Sequence, residues 1–132
     1  MDQANILLVD DEQLVLRSME KTLVRAGFDV ETAGDAGAGL AYFEAARDAG
    51  GPFSLVILDL NMPALDGKPS PDAGLELLSK LLEVDGDLRV IILTAFDDVS
   101  RAKEAVARGA RAYFVKGRES GLVDLVKQVI HE

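Results

Sequence analysis

Charged and hydroxyl side chains follow four of the chain's five apolar runs. Asp10-Asp11-Glu12 follows the first run, Asp59 the third, Thr94 the fourth and Lys116 the fifth. If these runs are parallel strands, their carboxyl ends meet at the edge of the sheet where ligands of such folds bind. An aspartate after a strand is also a common helix N-cap, which remains an alternative for Asp10 or Asp11 taken alone. That alternative does not explain Asp59, which ends a strongly apolar run.

This set of side chains predicts phosphoryl-transfer chemistry. Carboxylates that lie close together repel one another, which raises their pKa values unless a cation is present. Mg²⁺ prefers one or two carboxylates, several waters and a phosphate oxygen. With the metal and an ammonium to neutralise phosphoryl oxygens, a carboxylate can attack phosphorus in line and form an acyl phosphate.

The hydropathy pattern predicts the elements that would bring these residues together. Apolar runs rich in β-branched residues predict strands at 5–9, 28–32, 53–58, 88–93 and 112–115. The second run alternates polar and apolar residues, as an edge strand does. Stretches of helical period separate and follow the runs, and such alternation predicts an α/β fold, a doubly wound parallel sheet with helices on both faces.

Length and composition limit what the protein can do. The chain has 132 residues, enough for one domain at 1–132, and a net charge of −9 that disfavours direct nucleic-acid binding. It has no cysteine, and no apolar run approaches the length of a membrane span. No basic, apolar leader is evident, so we expect a cytoplasmic protein with no membrane partner.

One connection is longer than the others. The third and fourth predicted strands start 35 residues apart, against 23 to 25 for the other pairs. The extra residues include Pro69 and Pro71, which are incompatible with a helix interior. We therefore predict an enlarged loop at 68–73, between the third strand and the third helix.

The ordered residues resemble the receiver domain of two-component response regulators. The resemblance rests on Asp10-Asp11, Asp59 with Met62-Pro63 and Asp66-Gly67, Thr94-Ala95, Tyr113 and Lys116, and it runs from Ile6 to Ile130. It implies a flavodoxin-like sheet of five strands in the order 2-1-3-4-5. It also implies a signalling domain rather than an enzyme, apart from its own phosphorylation and slow dephosphorylation.

The resemblance further assigns roles to single residues. Asp59 matches the phosphoacceptor and Lys116 the lysine that pairs with the acyl phosphate. Asp11 matches a direct Mg²⁺ ligand, Asp10 a ligand acting largely through water, and Asn61 the residue whose backbone carbonyl completes the metal shell. The pair formed by Thr94 and Tyr113 matches the switch, in which the hydroxyl moves toward the phosphoryl group and the aromatic ring turns inward.

The implied partners are a histidine kinase or phosphotransfer protein, a downstream effector domain or protein, and a second copy of the chain in a phosphorylation-dependent homodimer. One departure from the family concerns Lys116, which is followed by Gly117 where such receivers usually have proline. A protein-interaction module of the same fold that works without phosphorylation remains the alternative. It would have no need to retain the acidic pair, Asp59, Thr94 and Lys116 together.

Overall fold

Five parallel strands form one sheet with helices on both faces. The computed structural model describes residues 4–60, 73–95, 98–117 and 121–131. In chain order the elements are β1 (Asn5–Val9), α1 (Gln13–Arg25), β2 (Asp29–Ala33), α2 (Ala36–Asp48), β3 (Leu55–Asp59), α3 (Ala73–Val84), β4 (Val90–Thr94), α4 (Val99–Ala107), β5 (Ala112–Val115) and α5 (Leu122–Ile130). The strand order is β2-β1-β3-β4-β5, which confirms the predicted doubly wound fold.

The central strands are apolar because helices cover both of their faces. Every residue of β3 and β4 is buried, and so are four of the five in β1. Successive side chains of a strand point to opposite faces. Leu7 and Val9 therefore pack with α2, α3 and α4, whereas Ile6 and Leu8 pack with α1 and α5.

The alternating second run is an edge strand, as predicted. Along β2 the residues alternate between exposed and half-buried until Ala33, and β2 pairs only with β1 in the sheet. At the opposite edge, all four residues of β5 are half-buried. The functional edge is thus built on strands whose positions are fixed by two separate apolar cores.

Three predicted strands lie one or two residues further along the chain than expected. The second runs from Asp29 to Ala33 rather than over 28–32. The third runs from Leu55 to Asp59 rather than over 53–58, and the fourth from Val90 to Thr94 rather than over 88–93. Asp59 and Thr94 therefore end their strands instead of following them. The hydropathy pattern does not define the first residue of these strands, because the apolar run begins in the preceding turn, before the strand itself.

The predicted loop at 68–73 lies outside the described residues except for its last position. Ala73 is the first residue of α3 and is fully buried, so the loop cannot extend that far. Within the part of the chain that the structure describes, no helix is both long enough and apolar enough to cross a membrane.

Candidate functional site

The carboxyl ends of three strands bring the predicted charged residues together. Asp10 follows β1 directly, Asp59 is the last residue of β3, and Lys116 follows β5. The backbone extends the sheet's pairing at these points: the Asp10 N–H donates to the Ala33 carbonyl at 3.1 Å, and the Lys116 N–H donates to the Thr94 carbonyl at 2.9 Å. The positions of these side chains are therefore set by the sheet itself.

The Lys116 ammonium lies at the centre of the site. Its Nζ donates to Asp59 Oδ2 at 2.9 Å and to Glu12 Oε1 at 2.7 Å, and a longer bond of 3.4 Å reaches Asp10 Oδ1. Asp10 and Asp59 are fully buried, and the lysine side chain is only 15% exposed. A buried carboxylate needs a partner of opposite charge, and one ammonium serves both aspartates.

Asp10 also shapes the turn into α1. Its Oδ1 accepts a hydrogen bond from the Glu12 N–H at 2.9 Å. Its Oδ2 lies 3.1 Å from Lys116 Nζ, but the angles are not those of a hydrogen bond, so this oxygen has a charge contact and no hydrogen-bond donor among the described residues. A buried oxygen without a donor is suited to a cation.

Burial disfavours the charged forms of both Asp10 and Lys116, and contacts between oppositely charged groups counteract it. Burial raises the pKa of Asp10 from 3.8 to about 7; the Asp59 charge also raises it, and the Glu12 N–H and Lys116 lower it. Burial lowers the pKa of Lys116, but hydrogen bonds to Glu12 and Asp59 outweigh it, so the net pKa lies above its usual value. The lysine is thus held as an ammonium.

Four carboxylates at this edge could hold a metal ion. Asp10, Asp11, Glu12 and Asp59 each offer one oxygen, and these oxygens all lie within 4.8 Å of one another. An all-oxygen, anionic donor set is the kind that Mg²⁺ prefers. The unbonded Oδ2 of Asp10 supports the same ligand chemistry, so the residues present fit a hard divalent cation.

Thr94 is the third buried polar residue that the structure describes, but its hydroxyl does not bond to the carboxylates. Its Oγ1 donates toward the carbonyls of Asp98 at 3.1 Å and Ala95 at 3.2 Å, two acceptors that share a single proton. The hydroxyl is thus held by the backbone carbonyls of Ala95 and Asp98 rather than by Asp59.

Tyr113 is a half-buried aromatic in the edge strand β5. It packs against the core formed with α2, α3 and α4. With Ala112 and the α4 residues Lys103 and Val106, it lines a groove of about 340 Å³. The groove gives the ring space beside α4, although the structure records one position for it.

The chain after Lys116 turns without proline. Gly117 has a φ of 88°, in the left-handed region that favours glycine, and no peptide bond among the described residues is cis. β5 ends at Val115, and Lys116 and Gly117 form the turn that follows it. The backbone of the lysine is therefore fixed by the sheet on one side and by a glycine turn on the other.

Two residues at this edge were given no role from the sequence. Glu12 makes the shortest contact to Lys116, and its place after the first strand, beside the acidic pair, was the signal for it. Gly74 opens α3 so close to β3 that a Cβ there would overlap Leu60 Cα and lie 2.7 Å from the Asp59 carbonyl oxygen. Asn61, the predicted backbone ligand, lies outside the described residues.

Comparison with known sequences gives a consistent family. A sequence profile described as the response regulator receiver domain matches residues 6–127. The response regulator protein FleR of Pseudomonas aeruginosa is 37% identical over 124 residues, which is 93% of this chain and 24% of FleR. The C4-dicarboxylate transport transcriptional regulatory protein DctD of Rhizobium meliloti is 34% identical over 112 residues, or 85% of this chain and 22% of DctD. The chain thus spans about a quarter of the length of these relatives.

Solved structures share the whole fold. A CheY-like response regulator receiver domain protein from Methanospirillum hungatei superimposes with a TM-score of 0.82 at 27% identity, covering 98% of this chain and 95% of that one. A response regulator receiver domain protein from Clostridium thermocellum gives 0.82 at 29% identity, with 97% and 94% covered.

Proposed function

The chain belongs to the response regulator receiver domain family, and we propose that it accepts a phosphoryl group on Asp59 from a phosphorylated histidine of a kinase or phosphotransfer protein. The observation that carries this proposal is the buried pair Asp10 and Asp59 around the Lys116 ammonium, at 3.1 and 2.9 Å. Burying two carboxylates is unfavourable, so their burial here points to a function that requires their negative charge. Phosphoryl transfer requires it, because the acceptor must be an ionised carboxylate beside a fixed cation.

In the proposed reaction an oxygen of Asp59 forms a bond to phosphorus while the bond between phosphorus and the histidine nitrogen breaks. The nitrogen keeps the electron pair of that bond, and the product on Asp59 is an acyl phosphate. Lys116 can then donate to a phosphoryl oxygen, since its ammonium already lies 2.9 Å from Asp59 Oδ2. In a separate hydrolysis step, water would form a bond to phosphorus while the bond to the Asp59 oxygen breaks, which releases inorganic phosphate and returns the free carboxylate.

A divalent cation is part of the same proposal. Asp10, Asp11 and Asp59 would hold Mg²⁺, with the backbone carbonyl of Asn61 as the further ligand expected from the family. When bound, the metal would supply positive charge for the phosphoryl oxygens. Support comes from the four carboxylate oxygens within 4.8 Å of one another.

The proposed switch couples Thr94 to Tyr113. A phosphoryl group can shift a conformational equilibrium only by what it gains in one state over the other. The Thr94 hydroxyl could provide that gain by exchanging the carbonyls of Ala95 and Asp98 for a phosphoryl oxygen. Release of the Ala95 and Asp98 carbonyls would then let the Tyr113 ring move within its groove.

The proposed partners are a histidine kinase upstream and an effector domain or protein downstream. FleR and DctD are several times longer than the matched segment, which supports an effector in such proteins. A homodimer formed on phosphorylation and a cytoplasmic location complete the proposal. With a net charge of −9, the domain is not expected to bind nucleic acid itself.

The test is intact-mass spectrometry after incubation with acetyl phosphate, with and without Mg²⁺. We expect one added phosphoryl group in the parent protein with Mg²⁺, little without the metal, and none in Asp59→Asn. A folded parent protein that takes up no phosphoryl group would contradict the proposal and favour an interaction module that works without phosphorylation.

A further inference from the structure

We propose that Glu12 is a positioning residue that competes with the phosphoryl group for Lys116. Its carboxylate takes, in the unphosphorylated domain, the lysine N–H that a phosphoryl oxygen on Asp59 takes after transfer. The inference rests on the proposed function of Asp59 and adds to it a residue that sets how readily the site is phosphorylated. Four observations carry it.

The donors of Lys116 are fully used. An ammonium has three N–H groups, and in the structure they go to Asp10, Glu12 and Asp59. Transfer converts the Asp59 carboxylate into an acyl phosphate, so the N–H that Asp59 accepts can pass to one phosphoryl oxygen. A second phosphoryl oxygen can bond to the lysine only if Asp10 or Glu12 releases its donor.

Glu12 is the carboxylate that can release it. Asp10 is fully buried, so without the lysine it would be left as a buried charge with less compensation. The Glu12 side chain is 59% exposed, and water can replace the lysine at its carboxylate. Although the Glu12 contact is the shortest of the three, at 2.7 Å, it is the one that breaks at least cost.

The backbone of Glu12 is fixed in the position that makes this contact. Its N–H donates to Asp10 Oδ1 at 2.9 Å, and its carbonyl accepts from the Leu16 N–H at 3.0 Å. Only the side chain is therefore free to leave when the lysine is needed elsewhere. Asp10 thus holds both the lysine and the backbone of the residue that competes for it.

The side chain of Glu12 also does not cap the helix that begins after it. Glu12 is the N-cap residue of α1, yet its carboxylate makes no capping hydrogen bond. Capping would satisfy one of the free N–H groups at the start of the helix. The carboxylate instead reaches toward the carboxyl end of β5, so its orientation follows from Lys116 and not from the helix.

Two substitutions separate the contact from the charge. Glu12→Asp keeps the negative charge but shortens the side chain by one methylene, which takes the carboxylate out of reach of Nζ. Glu12→Gln keeps the length and removes the charge. Glu44→Gln, an exposed glutamate on α2, is the matched control for a change of one unit in net charge.

The experiment measures initial phosphorylation rates with acetyl phosphate at saturating Mg²⁺. We expect both Glu12 variants to be phosphorylated roughly two- to fivefold faster than the parent, the range that corresponds to loss of one exposed ion pair. Glu44→Gln should match the parent. If Glu12→Asp is phosphorylated at the rate of the parent, Glu12 acts only through its negative charge and not through the contact with Lys116. If Glu12→Asp is phosphorylated more slowly than the parent, Glu12 assists the reaction. Either result overturns the proposal.

A second measurement does not depend on phosphorylation. Relaxation of the Lys116 Cε signal in NMR should show an ordered side chain in the parent and a more mobile one in Glu12→Asp. Equal order in the two proteins would show that Glu12 does not hold the lysine. If no variant accepts a phosphoryl group, the proposed function fails, and this measurement still decides whether the pair restrains Lys116.

Discussion

The Lys116 ammonium compensates the negative charge of two carboxylates whose burial would otherwise destabilise the folded protein. Asp10 and Asp59 are fully buried and share the ammonium, so the three residues form one electrostatic unit. Removing one member leaves an uncompensated charge on the others, and such losses exceed the value of an exposed ion pair. Substitutions here should therefore be interpreted through the partners they leave behind.

The pH dependence of the free energy of unfolding should reveal the raised pKa of Asp10. Burial raises its pKa to about 7 in the folded protein, above the ordinary 3.8. The folded state thus binds more protons than the unfolded chain between these values, and the free energy of unfolding should fall as pH rises through that window. Between pH 5 and 8, without metal, we expect the parent to lose about 2 kcal/mol more than Asp10→Asn.

Urea denaturation at the two pH values measures this difference. Asp48→Asn, which changes an exposed carboxyl on α2, should keep the pH dependence of the parent. The same titration predicts tighter Mg²⁺ binding as pH rises through about 7, since the metal requires the ionised carboxylate. A parent protein whose stability rises steadily from pH 5 to 8 would contradict the assignment.

Thr94 should be needed for the switch rather than for phosphorylation. Thr94→Ala removes a buried hydroxyl and leaves the carbonyls of Ala95 and Asp98 without its proton, so the free energy of unfolding should fall by about 1–2 kcal/mol. Phosphorylation of Asp59 should persist, and the NMR signals of the Tyr113 ring should no longer respond to it. Thr94→Ser, which keeps the hydroxyl, is the control and should preserve the response. An unchanged response in Thr94→Ala would show that the two residues are not coupled.

At this scale the sequence predicts which residues meet but not how their side chains are paired. Asp10, Asp59 and Lys116 could be placed at one edge because each ends or directly follows a strand of a parallel sheet. The direction of the Thr94 hydroxyl depends on where the Ala95 and Asp98 carbonyls lie, and the Glu12 contact depends on the angle at which α1 leaves the sheet. Neither follows from spacing along the chain.

The start of α3 lies directly against the end of β3, next to the proposed phosphoacceptor Asp59. The Gly74 N–H donates to the Leu60 carbonyl at 3.3 Å, and the helix backbone lies against the end of β3. A glycine is required because any side chain would enter the space of the Leu60 and Asp59 backbone. The helix thus fixes the chain on the carboxyl side of Asp59.

Gly74→Ala should therefore both destabilise the protein and disturb the site. Overpacking of a rigid backbone contact costs about 1–3 kcal/mol, and relief requires movement of Leu60 or of α3. We expect a lower urea midpoint and slower phosphorylation of Asp59. Gly51→Ala is the matched control, because a Cβ at Gly51 meets nothing within 4 Å. If Gly74→Ala is as stable and as reactive as the control, the close packing is not a constraint.

The sequence predicts the presence and order of the strands and helices better than it predicts their first and last residues. The alternation of apolar runs with helical period predicts all ten elements that the described residues form, and the polar alternation of β2 correctly identifies an edge. The ends of β3 and β4 shift because burial, not residue type, decides whether Asp59 and Thr94 belong to the strand. Gly74 could not be singled out, since a close helix–strand contact requires coordinates.

For the molecule as a whole, metal binding should stabilise the fold. Mg²⁺ that binds only the folded state raises the free energy of unfolding by mass action, so the melting temperature should rise with Mg²⁺ concentration. Asp11→Ala should remove most of this rise yet melt near the parent temperature without metal, because Asp11 is exposed. Sodium chloride at equal ionic strength controls for screening of the −9 net charge. A melting temperature that responds equally to both salts would exclude a specific site.

The central claim is that Asp59 is the phosphoacceptor, and borohydride trapping tests it most directly. Reduction of an acyl phosphate converts the modified aspartate to homoserine, which peptide mass spectrometry then locates. After incubation with acetyl phosphate and Mg²⁺, we predict homoserine at position 59 in the parent and at no position in Asp59→Asn. Homoserine at Asp10 or Asp11 instead, or equal trapping in Asp59→Asn, would contradict the assignment.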